Sequence, residues 1–331
     1  MRERLASRRL RQAISPSFSL LFPSPMNSVF AVAPARADDQ APSCAEPAGW
    51  RLAALDALCE RDPIAKAGAV RLLHARTQAS AGEVRWEPQR VIPTPEALPG
   101  RPSLPPLVEP RELRRRSMST PQGRVVLLHA LAHIEFNAIN LALDAVWRFA
   151  AMPDAFYADW LKVAAEEAYH FSLLQARLAD HGHAYGDFPA HNGLWEMCER
   201  TSADVLARMA LVPRVLEARG LDASPPIRAR LQQAGDIESA AILDIILRDE
   251  VGHVRIGNHW FRHLCGARGL DPHATWLALA AQYQAPRMRG PFNFEARRSA
   301  GFDEDELDAL AAQDAAEHVV TQKSSEPRSN E

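Results

Sequence analysis

Apolar and polar residues alternate with helical periodicity from about residue 122 to residue 266. Apolar side chains recur every three or four residues in four long segments, as in helices that bury one face. Pro153 and the stretches DHGHAYGDFPAHNG and GLDASPP mark the breaks between the segments. Long helices joined by short or moderate loops favour an all-α four-helix bundle. The predicted helices are 122–150, 153–182, 195–220 and 226–266.

The chain before the bundle has a different pattern. Residues 46–121 begin with two short predicted helices between Trp50 and Arg76, the second opened by Asp62 as cap and Pro63 at its first position. Nine prolines then fall between residues 86 and 121, a density that excludes helix. We predict a helical preface followed by a Pro-rich strap that lies over the bundle; a flexible linker is the competing interpretation.

The chain after the bundle is predicted to pack against it. Residues 267–318 give one helix, the Pro- and Arg-containing stretch YQAPRMRGPFNFEARRSAGF and a last short helix near 303–316. Residues 319–331 are polar and are predicted to be a disordered tail.

The first 45 residues start basic and include a small-residue ARA motif, as an export signal does. Prolines at 16, 23 and 25 interrupt the apolar part and leave FSLLF as its longest unbroken apolar stretch. We therefore predict a disordered leader over 1–45, with Met26 as an alternative start. Export, including a twin-arginine interpretation of SRRLRQ, is the competing hypothesis.

Composition narrows the function classes. A formal charge of -3 gives no general electrostatic reason to expect nucleic acid or an anionic membrane as partner. No apolar run reaches the length of a membrane span, so no membrane partner is expected. The four cysteines are far apart without C-x-x-C spacing, which favours a reducing cytoplasm over a disulfide framework.

Each predicted bundle helix carries ionisable residues on the stripe that should face the core. The second and fourth helices each carry Glu-x-x-His, a spacing that puts both side chains on one helix face. The first and third helices each carry a single glutamate. In chain order these residues are Glu135, Glu167 with His170, Glu217, and Glu250 with His253.

The spacing suggests two similar helical hairpins. Glu135 and Glu167 are 32 residues apart, and Glu217 and Glu250 are 33 apart. Four isolated carboxylates in an apolar core would be very costly, whereas two divalent metal ions balance their charge. We therefore predict a dinuclear metal site. A single Glu-x-x-His arises by chance, and core histidines satisfied by carboxylates without metal are the alternative.

Three neighbouring residues refine this prediction. Glu166 and Asp249 each precede a candidate ligand and can accept the far ring N–H of a histidine across the bundle, although either can equally be a surface acid. Pro213, one turn before Glu217, predicts a kink in the third helix.

At these residues the sequence resembles the ferritin-like diiron carboxylate superfamily, and in particular the bacterial domain-of-unknown-function 455 family. The resemblance covers about residues 50 to 315 and is specific for metal but not for reaction. The matching stretches are HALAHIEFNAINLALD, EEAYHFSLL, VLEARGLD and DEVGHV in the bundle, with LPGRPSLPPLV and RMRGPFN outside it.

The resemblance implies that the six candidate residues are ligands of two iron ions, with manganese or a mixed pair as the alternative. It further implies an O2-activating oxidoreductase, either a hydroxylase or an oxidase, that requires an electron donor. A manganese catalase, a tRNA-modifying hydroxylase and a non-catalytic metal-binding bundle remain alternatives. Long terminal additions disfavour a storage ferritin, and Leu174 stands where a ribonucleotide reductase small subunit would be expected to carry its radical tyrosine.

Two further groups are candidate substrate contacts. An arginine run can hold an anionic substrate or RNA, or simply be solvated. The RMRGPFN stretch can be a lid that lines a substrate channel, or a strap packed for stability. The residues concerned are Arg111, Arg114, Arg115 and Arg116 in the run, and Arg287, Arg289 and Asn293 in the stretch.

Overall fold

Helices make up the regular structure of the chain. The computed structural model describes residues 49–80, 84–113, 116–312 and 314; the predicted leader and tail lie outside these residues. The described part contains helices and no strand, so the all-α prediction is confirmed. The helices are α1 Trp50–Cys59, α2 Pro63–Ala79, α3 Pro121–Arg148, α4 Asp154–Asp180, α5 Gly193–Arg200, α6 Val205–Leu211, α7 Ala218–Gln233, α8 Ile237–Ala267, α9 Pro272–Gln282 and α10 Phe294–Ser299, with residues 304–312 also helical.

Local capping explains where several helices begin. The Asp62 carboxylate accepts hydrogen bonds from the backbone of the first turn of α2, and Pro63 stands at the first helical position, as predicted. Thr120 caps α3 through the amide of Gly123, and Asp236 caps α8 through the amide of Ser239. Each cap satisfies amides that the first helical turn leaves without an internal partner.

The predicted boundaries hold for α3 and α4 but are wrong for the second pair of bundle helices. No break occurs at GLDASPP: α7 continues through Pro225 and Pro226, and the turn comes at Gly235, where φ is +77°. Proline has no amide to bond the carbonyl four residues earlier, so Pro225 leaves the Leu221 carbonyl without its helical donor. The side-chain amide of Asn293 donates to that carbonyl at 3.2 Å, which offsets part of the cost of continuing the helix.

The predicted disturbance at Pro213 takes a specific form. Residues Val212–Glu217 form a π-helical segment between α6 and α7, a wider turn than that of an α-helix. Gly257 on α8 faces the proline ring, because a Cβ atom there would lie 2.3 Å from the Pro213 Cβ. The third predicted helix, 195–220, is divided among α5, α6, the π segment and the start of α7, with a turn at 201–204 between α5 and α6. Glu217 is at the end of the π segment.

Before α3, the described part of the Pro-rich strap contains no α-helix and includes a short 3-10 turn at Pro110–Glu112. Buried side chains attach it to the preface helices and the bundle. Arg51 donates to the carbonyl of Arg90 in the strap and to that of Trp147 in α3. Lys66 donates to the carbonyl of Gly100 in the strap and to the side chain of Asn140 in α3. The strap is thus a packed part of the molecule.

The helices pack in pairs that enclose one apolar core. α3 packs along α4, α7 along α8, and α4 crosses to α8, while α1 and α2 cover α3 and α4. Among the described residues α3 alone is long and apolar enough to cross a membrane, and 72% of its most apolar window is buried inside the protein. Its apolar surface is therefore mostly covered by other helices.

Candidate metal centre

The core between α3, α4 and α8 contains a cluster of ionisable side chains. All six residues predicted as ligands are buried, at 0 to 8% exposure. α4 supplies Glu167 and His170 from adjacent turns, and α8 supplies Glu250 and His253 in the same way. Glu135 projects from the middle of α3.

Two overlapping groups of three residues have potential ligand atoms within 4.8 Å of one another. The first group is Glu135, Glu167 and His170, in which His170 Nδ1 lies 3.2 Å from a Glu135 oxygen and 3.4 Å from a Glu167 oxygen. The second is Glu167, Glu250 and His253, in which His253 Nδ1 lies 2.9 Å from Glu167 Oε1 and 3.8 Å from Glu250 Oε2. Glu167 belongs to both groups and presents a different oxygen to each histidine.

The far ring nitrogens of both histidines face acids on the opposite helix. His170 Nε2 lies 3.1 Å from Asp249 on α8, and His253 Nε2 lies 3.0 Å from Glu166 on α4. Each acid accepts the Nε2–H and thereby directs Nδ1 towards the carboxylates. The structure thus brings Glu166 and Asp249 into the contacts expected from their positions beside the candidate ligands.

Burial and crowding shift the pKa values of the glutamates. Burial first, and then the Glu167 carboxylate, raises the pKa of both Glu135 and Glu250. Burial also opposes ionisation of Glu167, but the charge of His253 and hydrogen bonds from both histidines hold its pKa below the usual value. Negative charge in the metal-free cluster therefore concentrates on the shared carboxylate.

The histidines show the complementary shift. Burial disfavours their charged forms, but hydrogen bonds to Asp249, Glu135 and Glu167 raise the pKa of His170 to about 12. The pKa of His253 is raised as well, through the charge of Glu167 and its hydrogen bond to Glu166. Protons on the two rings therefore supply positive charge that the carboxylates require when no cation is bound.

Glu217 lies at the edge of the cluster and in neither group of three. Burial, followed by the charges of Glu250 and Glu167, raises its pKa to about 8. Its Oε2 atom is buried without a hydrogen-bond partner. Glu217 is thus near the other acids, but it does not share a point of convergence with them.

The donor set fits metal cations. Glu217 Oε2 and Glu250 Oε2 are buried without a hydrogen-bond partner, and the charge of Glu250 acts on Glu217. Buried polar atoms normally have partners, so two such oxygens on neighbouring glutamates require an explanation. Two divalent ions would occupy the cluster and balance the four carboxylates.

The predicted substrate contacts lie elsewhere. Arg111 and Arg116 are exposed near the start of α3, and Arg114 and Arg115 lie outside the described residues. Arg287 and Arg289 are also exposed. Their role in substrate binding stays a prediction.

Asn293 has contacts of a structural kind. Its side chain caps α10 through the amide of Ala296 and donates to α7 at Leu221. The neighbouring Arg297 is buried and pairs with Asp222 of α7 at 2.6 Å. Residues 293–297 therefore hold α7 in place just beyond Glu217. For this end of RMRGPFN, the contacts favour a strap packed for stability over a lid.

A buried ion pair that the sequence analysis missed supports the same region. Arg208 on α6 pairs with Asp144 on α3 at 2.6 Å, and both are almost fully buried. Arg148 pairs with the same carboxylate, and despite burial the two guanidinium groups hold the pKa of Asp144 below its usual value. The available signal was the acidic Asp144 inside the apolar run LALDAVW of α3, but its arginine partner is 64 residues away and shows no spacing that identifies it.

Comparison with known proteins identifies relatives of this chain. The family model described as "Protein of unknown function (DUF455)" matches residues 59–308, a range that contains all six candidate ligands. An "Uncharacterized protein" of Haemophilus influenzae (strain ATCC 51907 / DSM 11121 / KW20 / Rd) is 51% identical over 214 residues, which are 62% of this chain and 74% of that protein. No solved structure matches the chain. The family match and this relative together establish that the chain belongs to the DUF455 family.

Proposed function

We propose that this protein is a ferritin-like diiron carboxylate protein and acts as an O2-activating oxidoreductase. The bundle would consist of α3, α4, the composite of α6 and α7, and α8. The observation that carries the proposal is the position of Glu167, which belongs to both groups of three and presents one oxygen to His170 and the other to His253. A carboxylate so placed is suited to bridge two cations.

The proposed ligands divide into three sets. Glu135 and His170 would hold one ion and Glu250 and His253 the other, while Glu167 would bridge them. Glu217 would complete the second site from the π segment. These nitrogen and oxygen donors suit iron or manganese. The buried Cys198 donates to Asp144 and so has its partner outside the cluster.

The protein residues would orient the ligands and exclude water. Asp249 and Glu166 hold the histidine rings with Nδ1 directed inward, which increases the basicity of the ligands. Phe171 and Leu174 on α4 are buried beside the cluster and keep bulk water away. When bound, two iron ions would supply reductive activation of O2, with electrons from an external donor. The substrate would then be hydroxylated or dehydrogenated.

Metal content and oxygen reactivity test this proposal together. The chain is expressed with supplemented iron, its metals are counted by mass spectrometry, and the anaerobically reduced protein is mixed with O2 while the near-ultraviolet spectrum is recorded. We expect about two irons per chain and a transient oxygen-dependent band. Two manganese ions would favour peroxide dismutation instead, and tightly bound metal without oxygen reactivity would favour a structural bundle.

Substitution of the shared carboxylate makes the test specific. Glu167→Ala should reduce the metal content from two ions to none, because both sites lose a ligand. Glu238→Ala is the matched control, since this glutamate of α8 has a side chain that is 72% exposed. Equal metal content in the two variants would overturn the assignment of the centre.

A further inference from the structure

A pocket lies between the strap and the side of α3 that faces away from the metal centre. Its volume is about 210 Å³, and its walls include Arg101 and Pro105 of the strap, Phe136 and Asn137 of α3, and Tyr185. Asn137 is two residues from Glu135, and a helix turns by about 200° over two residues. The pocket is therefore distinct from the centre proposed above.

Arg101 differs from other arginines of this protein in the partners of its guanidinium. Its guanidinium lies 5.9 Å from the ring centroid of Trp195 and makes no hydrogen bond or ion pair with the described residues. Its Nη2 atom is fully buried without a partner. Arg101 is half-buried, whereas fully buried arginines are anchored: Arg208 pairs with Asp144, and Arg297 pairs with Asp222.

An arginine of this kind favours an anion. Burial lowers the pKa of Arg101, and Glu199 acts on it only through its charge, since that carboxylate accepts the Trp195 indole N–H instead. None of the described residues that line the pocket is acidic. The guanidinium therefore faces the pocket without a protein anion to balance it there.

The remaining polar groups are held in fixed positions. His133 Nε2 donates to the carbonyl of His191 at 3.0 Å, so Nδ1 accepts from the Tyr185 hydroxyl at 2.8 Å. Burial lowers the pKa of His133 to about 4, which keeps the ring neutral at neutral pH. The Asn137 side chain donates to the backbone of His133. Arg101 is thus the charged group among the described lining residues.

The strap side of the pocket is pre-formed. The backbone at Leu107 bridges to Ala190, with Val108 N–H donating to the Ala190 carbonyl at 2.8 Å. Pro102, Pro105 and Pro106 stiffen the same wall and make it apolar. A small ligand with an apolar body would find a prepared surface next to the guanidinium.

We propose that this pocket binds a small organic anion, a carboxylate or a phosphate ester with a compact apolar body, and that Arg101 holds its anionic oxygens. The guanidinium would attract either group by its positive charge and donate to it from nitrogens other than the buried Nη2. The proline and phenylalanine walls contact the apolar body. This site is independent of the function proposed for the metal centre.

Calorimetric titration of the full-length protein tests the site. The probes are benzoate, phenyl phosphate and inorganic phosphate, with benzamide as the neutral analogue. We expect saturable binding of benzoate or phenyl phosphate, and the stronger of the two identifies the anionic group. Arg101→Gln should weaken binding at least tenfold. Arg101→Lys should weaken it less, because lysine keeps the positive charge but lacks the planar guanidinium. Arg298→Gln is the control, since this exposed arginine pairs with Glu304 outside the pocket.

Several results would overturn the proposal. These are benzamide binding as tightly as benzoate, no saturable binding of the organic anions by the folded protein, or equal affinity in Arg101→Gln and Arg298→Gln. Circular dichroism verifies that each variant is folded. If Arg101→Gln does not fold, the Leu107→Trp variant replaces it. Leu107 lines the pocket and is exposed, so the larger side chain should narrow the pocket and weaken binding without disturbing the core. Metal is counted on the same samples. Anion binding by protein that takes up no metal would refute the diiron proposal and leave the anion-binding proposal intact.

Discussion

The two helical hairpins that surround the candidate centre have nearly the same ligand spacing but different construction. In the first, α3 and α4 are uninterrupted, and Glu135 and His170 come within 3.2 Å of each other. In the second, a π segment precedes α7, α7 continues through two internal prolines, and Glu217 stays outside both groups of convergent atoms. The first hairpin holds its ligands in place, whereas the second leaves one carboxylate at the end of a distorted turn.

The distorted hairpin also depends more on the rest of the molecule. Asn293 and Arg297 bond to α7 after the π segment, and Arg208 anchors α6 to α3 before it. A carboxylate on a π turn can change position without unfolding a regular helix. The comparison therefore indicates a rigid half of the centre and an adjustable half.

The largest difference should appear when one glutamate is removed from each hairpin. Glu135→Ala should leave about one tightly bound ion per chain, because Glu135 belongs to a convergent group. Glu217→Ala should retain two ions and weaken only the second. Metal counting after dialysis against a chelator measures both. Equal losses in the two variants would show that the halves are equivalent.

A smaller effect should follow from the acids behind the histidines. Asp249→Asn should weaken metal affinity by about 10- to 100-fold, because His170 loses the charged acceptor that orients its ring. Glu166→Gln should weaken affinity less, since the Glu166 side chain is 30% exposed and that of Asp249 is 14% exposed. Competition with a chromophoric chelator gives the affinities, and an unchanged affinity in Asp249→Asn would exclude this role.

The protons of the metal-free cluster give a pH-dependent difference. The raised pKa values of Glu217, about 8, and His170, about 12, mean that the folded chain binds more protons than the unfolded chain. The stability that Glu217 contributes is complete below the usual glutamate pKa and is lost as pH rises through 8. Metal binding needs deprotonated ligands and so strengthens with pH. Between pH 7 and 9, the Tm of metal-free protein should fall, and the difference in Tm between metal-loaded and metal-free protein should increase.

A Glu217→Gln variant verifies the origin of this trend. It should flatten the fall of the metal-free Tm over the same pH range, because the group that loses its proton is absent. A metal-free Tm that rises with pH, or a constant gap between the two forms, would contradict the proton distribution described above.

The smallest expected effect concerns the support of the π segment. A Cβ at Gly257 would lie 2.3 Å from the Pro213 Cβ, so Gly257→Ala must displace the segment and should destabilise the fold by about 1–3 kcal/mol. Gly252, on the same helix, has no atom within 4 Å of a built Cβ. Gly252→Ala should therefore stabilise α8 by about 0.5–1 kcal/mol. Urea unfolding of both variants gives the free energies, and similar values would mean that the contact with Pro213 is unimportant.

Sequence periodicity predicted the parts of the fold that depend on local signals. The all-helical class, the caps at Asp62 and the bounds of α3 and α4 follow from apolar spacing and capping residues. The bounds of α7 could not be predicted, because a side chain about 70 residues away donates to the carbonyl that Pro225 leaves without its helical donor. Helix propensities and capping rules use neighbouring residues and take no account of such a distant contact.

The candidate site shows the same division. Glutamate and histidine on buried stripes identified residues that meet in the core, because helical spacing alone puts them on one face. The distinct position of Glu217 arises from the π segment, which Pro213 indicated only as a kink. The unpaired Arg101 was visible only in three dimensions, since a lack of partners has no sequence signature.

Anomalous diffraction from crystals of the iron-loaded protein, measured on both sides of the iron absorption edge, would locate the bound ions. We expect two iron peaks, both in contact with Glu167, one beside Glu135 and His170 and the other beside Glu250 and His253. A single peak, peaks away from Glu167, or an iron-free core in crystals grown with excess ferrous iron would refute Glu167 as a shared ligand of two ions.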